Sequence, residues 1–315
     1  MSDMHARGGP SSPHFLTRPA TLQVQSVLYG NSFTSVERAV LSLGRSAELA
    51  IEGGHLSRVG IAYGDSSSTP CLTAEQLDRL RAHYPNTISI QYYFFDGNLG
   101  SARGHNRLAQ AADTDFILVQ NPDVVVSPRL LETLLATFDV VSTGMAEAKQ
   151  LPIEHPKDYD PATGETSWAT TACAMIPLPL FRQLKGFDAD TFFLYCDDVD
   201  FSWLVRLAGY KVIFQPAAVA FHDKRLSEEG RWQPSDAERY YSAEAALMLA
   251  HKWSRSDIVD MILKDFGTNG NAFSIKAKDT FEQRRSEGKL PAQIDPTHQV
   301  GQFINGFYAK HRFAL

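Results

Sequence analysis

The chain has 315 residues, 43% of them apolar and 21% charged, with a formal net charge of −6. This is the composition of a globular protein large enough for one big α/β domain or two smaller ones. The acidic balance argues against a nucleic-acid partner, and no apolar run approaches the ~20 residues that cross a bilayer.

Taken in chain order, Met1–Ala20 reads as a flexible lead-in around Gly8-Gly9-Pro10-Ser11-Ser12-Pro13, without the apolar segment of a signal peptide. Thr21–Tyr29 is expected as a first strand and Thr34–Leu49 as a helix with Val36, Val40, Leu41 and Leu43 on its apolar side. Arg58–Tyr63 is a second strand, and Thr73–His83 a helix with Thr73 as its N-cap. Ile88–Phe95 is a third strand, followed by a glycine-bearing loop Asp96–Gly104 and a helix through Asn106–Ala112. Asp115–Gln120 is a fourth, apolar enough to be buried on both faces. This alternation predicts an α/β fold with a largely parallel sheet.

Pro128–Phe138 is the next expected helix and Val140–Met145 the next strand. Gln150–Ser167, with Pro152, Pro156, Pro161 and Gly164, is the least regular stretch and suits a loop at an active site. Trp203–Ala208 reads as helix, Lys211–Phe214 as strand, Ala217–Phe221 as strand-like, and Asp236–Phe266 as one long, mostly helical segment. Val300, Phe303, Ile304, Phe307 and Tyr308 fall at helical spacing. The favoured use of that stripe is packing on its own domain; a homodimer contact or a peripheral membrane helix is the alternative. Cys71, Cys173 and Cys196 are not at metal-ligand spacing, which fits a reducing cytoplasm and no structural zinc.

Ligands of parallel sheets bind outside the strands' carboxyl ends. Those ends carry Tyr29-Gly30-Asn31, Gly64-Asp65, the Asn98–Asn106 loop with Gly100 and Arg103, and Asn121-Pro122-Asp123. The loop lacks both the Walker and the dinucleotide glycine spacing, yet it could offer backbone N–H groups and Arg103 to phosphate. Asp123 is a candidate ligand for a hard divalent cation, or equally a helix cap. The run Phe192-Phe193-Leu194-Tyr195-Cys196-Asp197-Asp198-Val199-Asp200 sets three carboxylates against aromatic residues. That is a helix N-terminus, a catalytic cluster, or both. His222 alone is more often structural than a ligand.

The ordered set Asn98-x-Gly100…Asn106, Asn121-Pro122-Asp123-Val124, Trp168–Ile176, Gly186-Phe187-Asp188, Phe192–Asp200, Ala208-Gly209-Tyr210, Pro216 and His222 resembles the rhamnosyltransferase-like branch of family-2 glycosyltransferases. The resemblance spans about residues 21–253. It implies a GT-A fold, with a donor half at 21–145 and an acceptor half at 146–265; residues 266–315, which the resemblance does not reach, are expected as a helical extension. It further implies inverting transfer from a dTDP- or UDP-linked sugar to a glycan or lipid-linked acceptor, with Mg²⁺ or Mn²⁺, for cell-surface polysaccharide. The location it suggests is the cytoplasm or the inner face of its membrane.

By the same resemblance Asp198 is the general base, and Asp123 and His222 are the metal or diphosphate contacts. Asp65 would meet the base of the donor; Asn31, Asn98, Gly100, Arg103, Asn106 and Asn121 would line the nucleotide-sugar pocket. Trp168, Asp197 and Asp200 would lie on the acceptor side. Three positions depart from the family pattern: Asn121 replaces the first metal-element acid, Asp197 a Glu, and Leu204 an Arg. The competing readings are a sugar-nucleotide-binding scaffold with weak or no turnover and a glycoside hydrolase, the latter leaving the nucleotide-side residues without a task.

Overall fold

The computed structural model describes residues 18–140, 142–154, 157–222 and 233–304. The first half alternates strand and helix: β1 (Ala20–Leu28), α1 (Phe33–Glu52), β2 (Leu56–Asp65), α2 (Ala74–His83), β3 (Ile88–Phe94), α3 (Gly100–Ala111) and β4 (Phe116–Gln120). Ser32 caps α1, and Thr73 and Gln76 close a capping box on α2, satisfying N–H groups that would otherwise lack partners. The apolar stripe of α1, Val36, Val40 and Leu43, packs with Leu77 and Leu80 of α2 on Leu22 and Val24 of β1.

The second half adds β5 (Val124–Val126), α4 (Leu130–Ala136), β6 (Thr143–Leu151), β7 (Glu165–Thr166), β8 (Cys173–Pro177), α5 (Leu178–Gln183), α6 (Asp197–Leu207), β9 (Lys211–His222), α7 (Asp236–Lys252), α8 (Ser256–Thr268) and α9 (Ala272–Ser286). Strands order as β3-β2-β1-β4-β8-β6-β9-β5, with β7 on β9. The sheet is parallel from β3 to β4. Beyond β4 it is mixed: β8 runs antiparallel between β4 and β6, β9 is parallel to β6, and β5 is antiparallel to β9. Parallel pairing thus dominates only the first half. Strand direction is not legible in β4 and β8, because burial on both faces removes the alternation that would reveal it.

Several expected boundaries move. α3 begins at Gly100, inside the expected loop, since its first turn has no apolar periodicity to read. α6 begins at Asp197, so the acidic run is its first turn. β9 continues through Pro216, because pairing with β6 skips from Gln215 to Val219 and Pro216 sits in the irregularity, where no N–H is required. The long helical segment breaks into α7 and α8 at Ser254, whose φ is 60°.

Trp168, Phe192, Trp203, Leu247, Trp253, Ile258, Phe281 and Val300 form one core on the far side of α6. The expected boundary at 265 falls inside α8, and α7, α8 and α9 all share that core. The expected C-terminal helix is corrected as far as Ile304: residues 299–303 are not helical, and Phe303 packs edge-on against Trp203 with ring centroids 5.1 Å apart. Phe307 and Tyr308, like Met1–Thr17, lie outside the described residues. No described helix is long and apolar enough to cross a membrane.

Candidate active site

The carboxyl ends of β1, β2 and β4 and the N-termini of α3 and α6 meet on one side of the sheet. A backbone carbonyl helps join the two helices. Gly100 opens α3 at φ +68°, a left-handed conformation that favours glycine, and a Cβ there would stand 2.4 Å from the Phe193 oxygen. That oxygen accepts from the N–H of Ser101 at 3.1 Å, capping α3 with the loop that leads into α6. The backbone of that loop is strained: Tyr195 and Cys196 both have positive φ, 66° and 58°.

Asp197 and Asp198 follow directly. Asp197 is buried; burial and the neighbouring Asp198 push its carboxyl up to about 7, opposed by a hydrogen bond with the Ser101 side chain. Its Oδ2 has no hydrogen-bond partner. Asp198 is half-buried and its Oδ1 accepts from the Val199 N–H at 2.8 Å.

A second cluster forms where β4 ends beside β9. Asn121 Nδ2 lies 3.3 Å and Asp123 Oδ1 3.6 Å from His222 Nε2. On its other side, His222 Nδ1 donates to Gln150 Oε1 at 2.9 Å, an arrangement that leaves the Nε2 lone pair facing the two strand-end side chains. Two ligands of one small divalent cation stand ~3–3.5 Å apart, so the carboxylate and imidazole fit a shared ion after a small approach. Among the described residues no three His, Cys, Asp or Glu side chains converge at such spacing.

Other expected site residues are engaged elsewhere. Asp65 is fully buried, and its carboxylate accepts from the N–H groups of Ser67 (2.9 Å) and Cys71 (2.7 Å), from the Cys71 thiol, and from the Tyr92 hydroxyl. Burial would raise its pKa, but these donors outweigh it and lower it. Four donors fill the carboxylate's acceptor sites, so contact with a nucleobase requires one of them to leave. Asn106 clamps the backbone at Phe187: Nδ2 donates to the Phe187 carbonyl at 2.7 Å and Oδ1 accepts from the Phe187 N–H at 2.9 Å. Gly186, at φ +72°, leaves room for that clamp, since a Cβ there would meet Asn106 Oδ1 at 2.4 Å.

Arg103 is exposed and pairs with Asp190 at 2.8 Å. Asn31 and Asn98 accept from the N–H groups of Tyr29 and Gly100 and shape their turns. Asp200 turns into the core. It is fully buried on the far side of α6, where Lys252 Nζ (2.8 Å) and Trp253 Nε1 (2.9 Å) donate to it. Trp168 is buried, with the Lys157 ammonium 4.2 Å above its ring. Lys157, itself buried, forms an ion pair with Glu147, whose carboxyl burial pushes up to about 8 against the pull of that ammonium. Sequence reasoning did not find Ser101, Gln150, Lys157 or Lys252; each is a lone polar residue that gains meaning only from what lies opposite.

Residues 31–147, from the end of β1 to Glu147 in β6, match the family model described as glycosyl transferase family 2. Over those residues the chain is similar to family-2 glycosyltransferases. It is 24% identical over 172 residues to rhamnosyltransferase WbbL of Escherichia coli (strain K12), covering 43% of this chain and 65% of that protein. It is 22% identical over 216 residues to N-acetylglucosaminyl-diphospho-decaprenol L-rhamnosyltransferase of Mycobacterium tuberculosis (strain H37Rv), covering 54% of this chain and 68% of that protein. The chain therefore matches about two thirds of the length of these relatives, slightly less for the first.

Solved structures show the GT-A fold. The glycosyltransferase GalNAc-T7, crystallised with UDP, GalNAc and Mn²⁺, superposes with a TM-score of 0.60 at 12% identity, over 87% of this chain and 60% of that one. Mannosyltransferase PcManGT from Pyrobaculum calidifontis, in complex with GDP-Man and Mn²⁺, gives 0.53 at 16% identity, over 86% and 81%.

Proposed function

We propose that the protein transfers a sugar, with inversion, from a dTDP- or UDP-linked donor to a hydroxyl of a glycan or lipid-linked acceptor in cell-surface polysaccharide synthesis. The observation that carries this reading is the placing of Asp198 at the start of α6, joined through Phe193 and Ser101 to the N-terminus of α3. The base and the donor-side helix are thereby held in one rigid unit. The rhamnosyltransferase relatives support the polysaccharide setting. The UDP and GDP-Man bound to the GT-A neighbours support a nucleotide-sugar donor.

In this mechanism Asp198 accepts the proton of the acceptor hydroxyl as that oxygen bonds to the anomeric carbon. The bond from that carbon to the donor phosphate breaks on the opposite side, and the nucleoside diphosphate leaves. Burial disfavours a second negative charge on Asp197 beside the incoming hydroxyl. Asp123 and His222 would hold Mg²⁺ or Mn²⁺ beside the donor diphosphate. When bound, such an ion supplies positive charge to the leaving diphosphate. Gln150 keeps the imidazole of His222 in the ligating orientation.

Calorimetric titration with UDP and with dTDP, each in Mn²⁺ and in EDTA, tests the donor side. Binding of one nucleotide that weakens at least tenfold in EDTA is expected, and its base tells which sugar nucleotides to assay. A folded protein that binds neither nucleotide would overturn the proposal.

A further inference from the structure

The segment that carries the base is held at both ends by one side chain from outside it. Lys252, the last residue of α7, is 8% exposed. Its Nζ donates to Asp188 Oδ2 at 2.7 Å and to Asp200 Oδ2 at 2.8 Å. Asp188 opens the segment: its Oδ1 accepts from the Thr191 N–H and its carbonyl from the Phe192 N–H. Asp200 closes it from within the first turn of α6, with the Trp253 indole N–H on its second oxygen. Between these anchors lie Phe193, whose carbonyl caps α3, the two left-handed residues Tyr195 and Cys196, and Asp197-Asp198. α7 makes a further contact there, with the Tyr241 ring 4.8 Å from that of Phe193.

We propose that Lys252 is a positioning residue for transfer: it staples residues 188 and 200 together and so holds the strained turn in the geometry that presents Asp198. Consecutive left-handed non-glycine residues persist only where their surroundings over-determine them. The staple provides that constraint from a helix that lies beyond the residues matched by the family model. The role of Asp198 in this inference rests on the proposed function; the stapling of the turn does not.

Removing Lys252 alone leaves the charge of Asp200 buried without its ammonium, which threatens the fold itself. The test is therefore the double variant Lys252→Met/Asp200→Asn, which deletes both charges, alongside Lys252→Arg, which keeps the charge. Hydrogen–deuterium exchange of the 189–199 peptide, nucleotide affinity and kcat are measured on each. In the double variant faster exchange confined to that peptide is expected, with nucleotide affinity within twofold of the parent and kcat lower by ~10–100-fold. Lys252→Arg should recover most of the lost kcat. Unchanged exchange and kcat in the folded double variant would overturn the proposal. So would a loss that follows global unfolding, or failure of the double variant to fold; either makes the pair a core contact only. If the parent transfers no sugar from any donor tried while exchange in 189–199 still rises, the stapling stands and the transferase reading falls.

Discussion

In the β1–β4 half of the sheet, polar side chains at the strand ends turn inward and hold backbone: Asp65 organises residues 65–71, Asn98 the entry to α3, and Asn106 the 186–187 turn. In the half built on β6, β8, β9 and α6, the corresponding groups are ionisable, largely buried and paired across elements, as in Glu147–Lys157 and the Asp188–Lys252–Asp200 set. On the proposed reading, the first half would meet the donor mostly with backbone and a few strand-end side chains. The second half concentrates the titratable chemistry. A shared fold can thus keep its donor-side shape through turn geometry while its reactivity depends on a small number of desolvated charges.

The sharpest way to break this contrast is Asp198→Asn. Transfer should fall by ~10²–10⁴ with nucleotide affinity nearly unchanged, because general-base help is lost while the donor-side turns stay intact. Steady-state kinetics that retain the parent kcat would end the assignment of the base.

A smaller effect is expected at Glu147. Its folded pKa, about 8, lies above its ordinary 4.5, so the native state binds more protons than the unfolded chain between those values. The stability this contributes is full below about pH 4.5 and is lost as pH rises through 8, at no more than ~1.4 kcal/mol per pH unit. Glu147→Gln should flatten the pH dependence of urea unfolding across that window; an unaltered slope would refute burial as the dominant influence.

The smallest effect is on the donor side. Asn106→Ala leaves the Phe187 N–H and carbonyl without their partner, at a cost of about 1–3 kcal/mol in thermal or urea unfolding. Nucleotide affinity should stay within about threefold. A loss of affinity beyond tenfold with stability unchanged would return Asn106 to the nucleotide pocket and weaken the contrast drawn above.

Much of this protein was legible in the linear chain. Alternating apolar runs with Thr73-type caps located β1 through β4 and their helices to within a few residues, because amphipathic period and capping are local properties. The order of Asn121, Asp123, Asp198 and His222 pointed to the glycosyltransferase family, and the tertiary structure brings polar atoms of Asn121 and Asp123 to 3.3 and 3.6 Å from His222. Where α3 and α6 begin was not legible, since a carbonyl from residue 193 and a run of acids set those ends in place of apolar periodicity. The antiparallel course of β8, the inward turn of Asp65 and Asn106, and the partners of Lys157 and Lys252 were decided by the fold alone. A side chain's donors, desolvation and charge partners come from segments tens of residues away, and no local pattern records which of two faces a lone Asp or Lys will occupy.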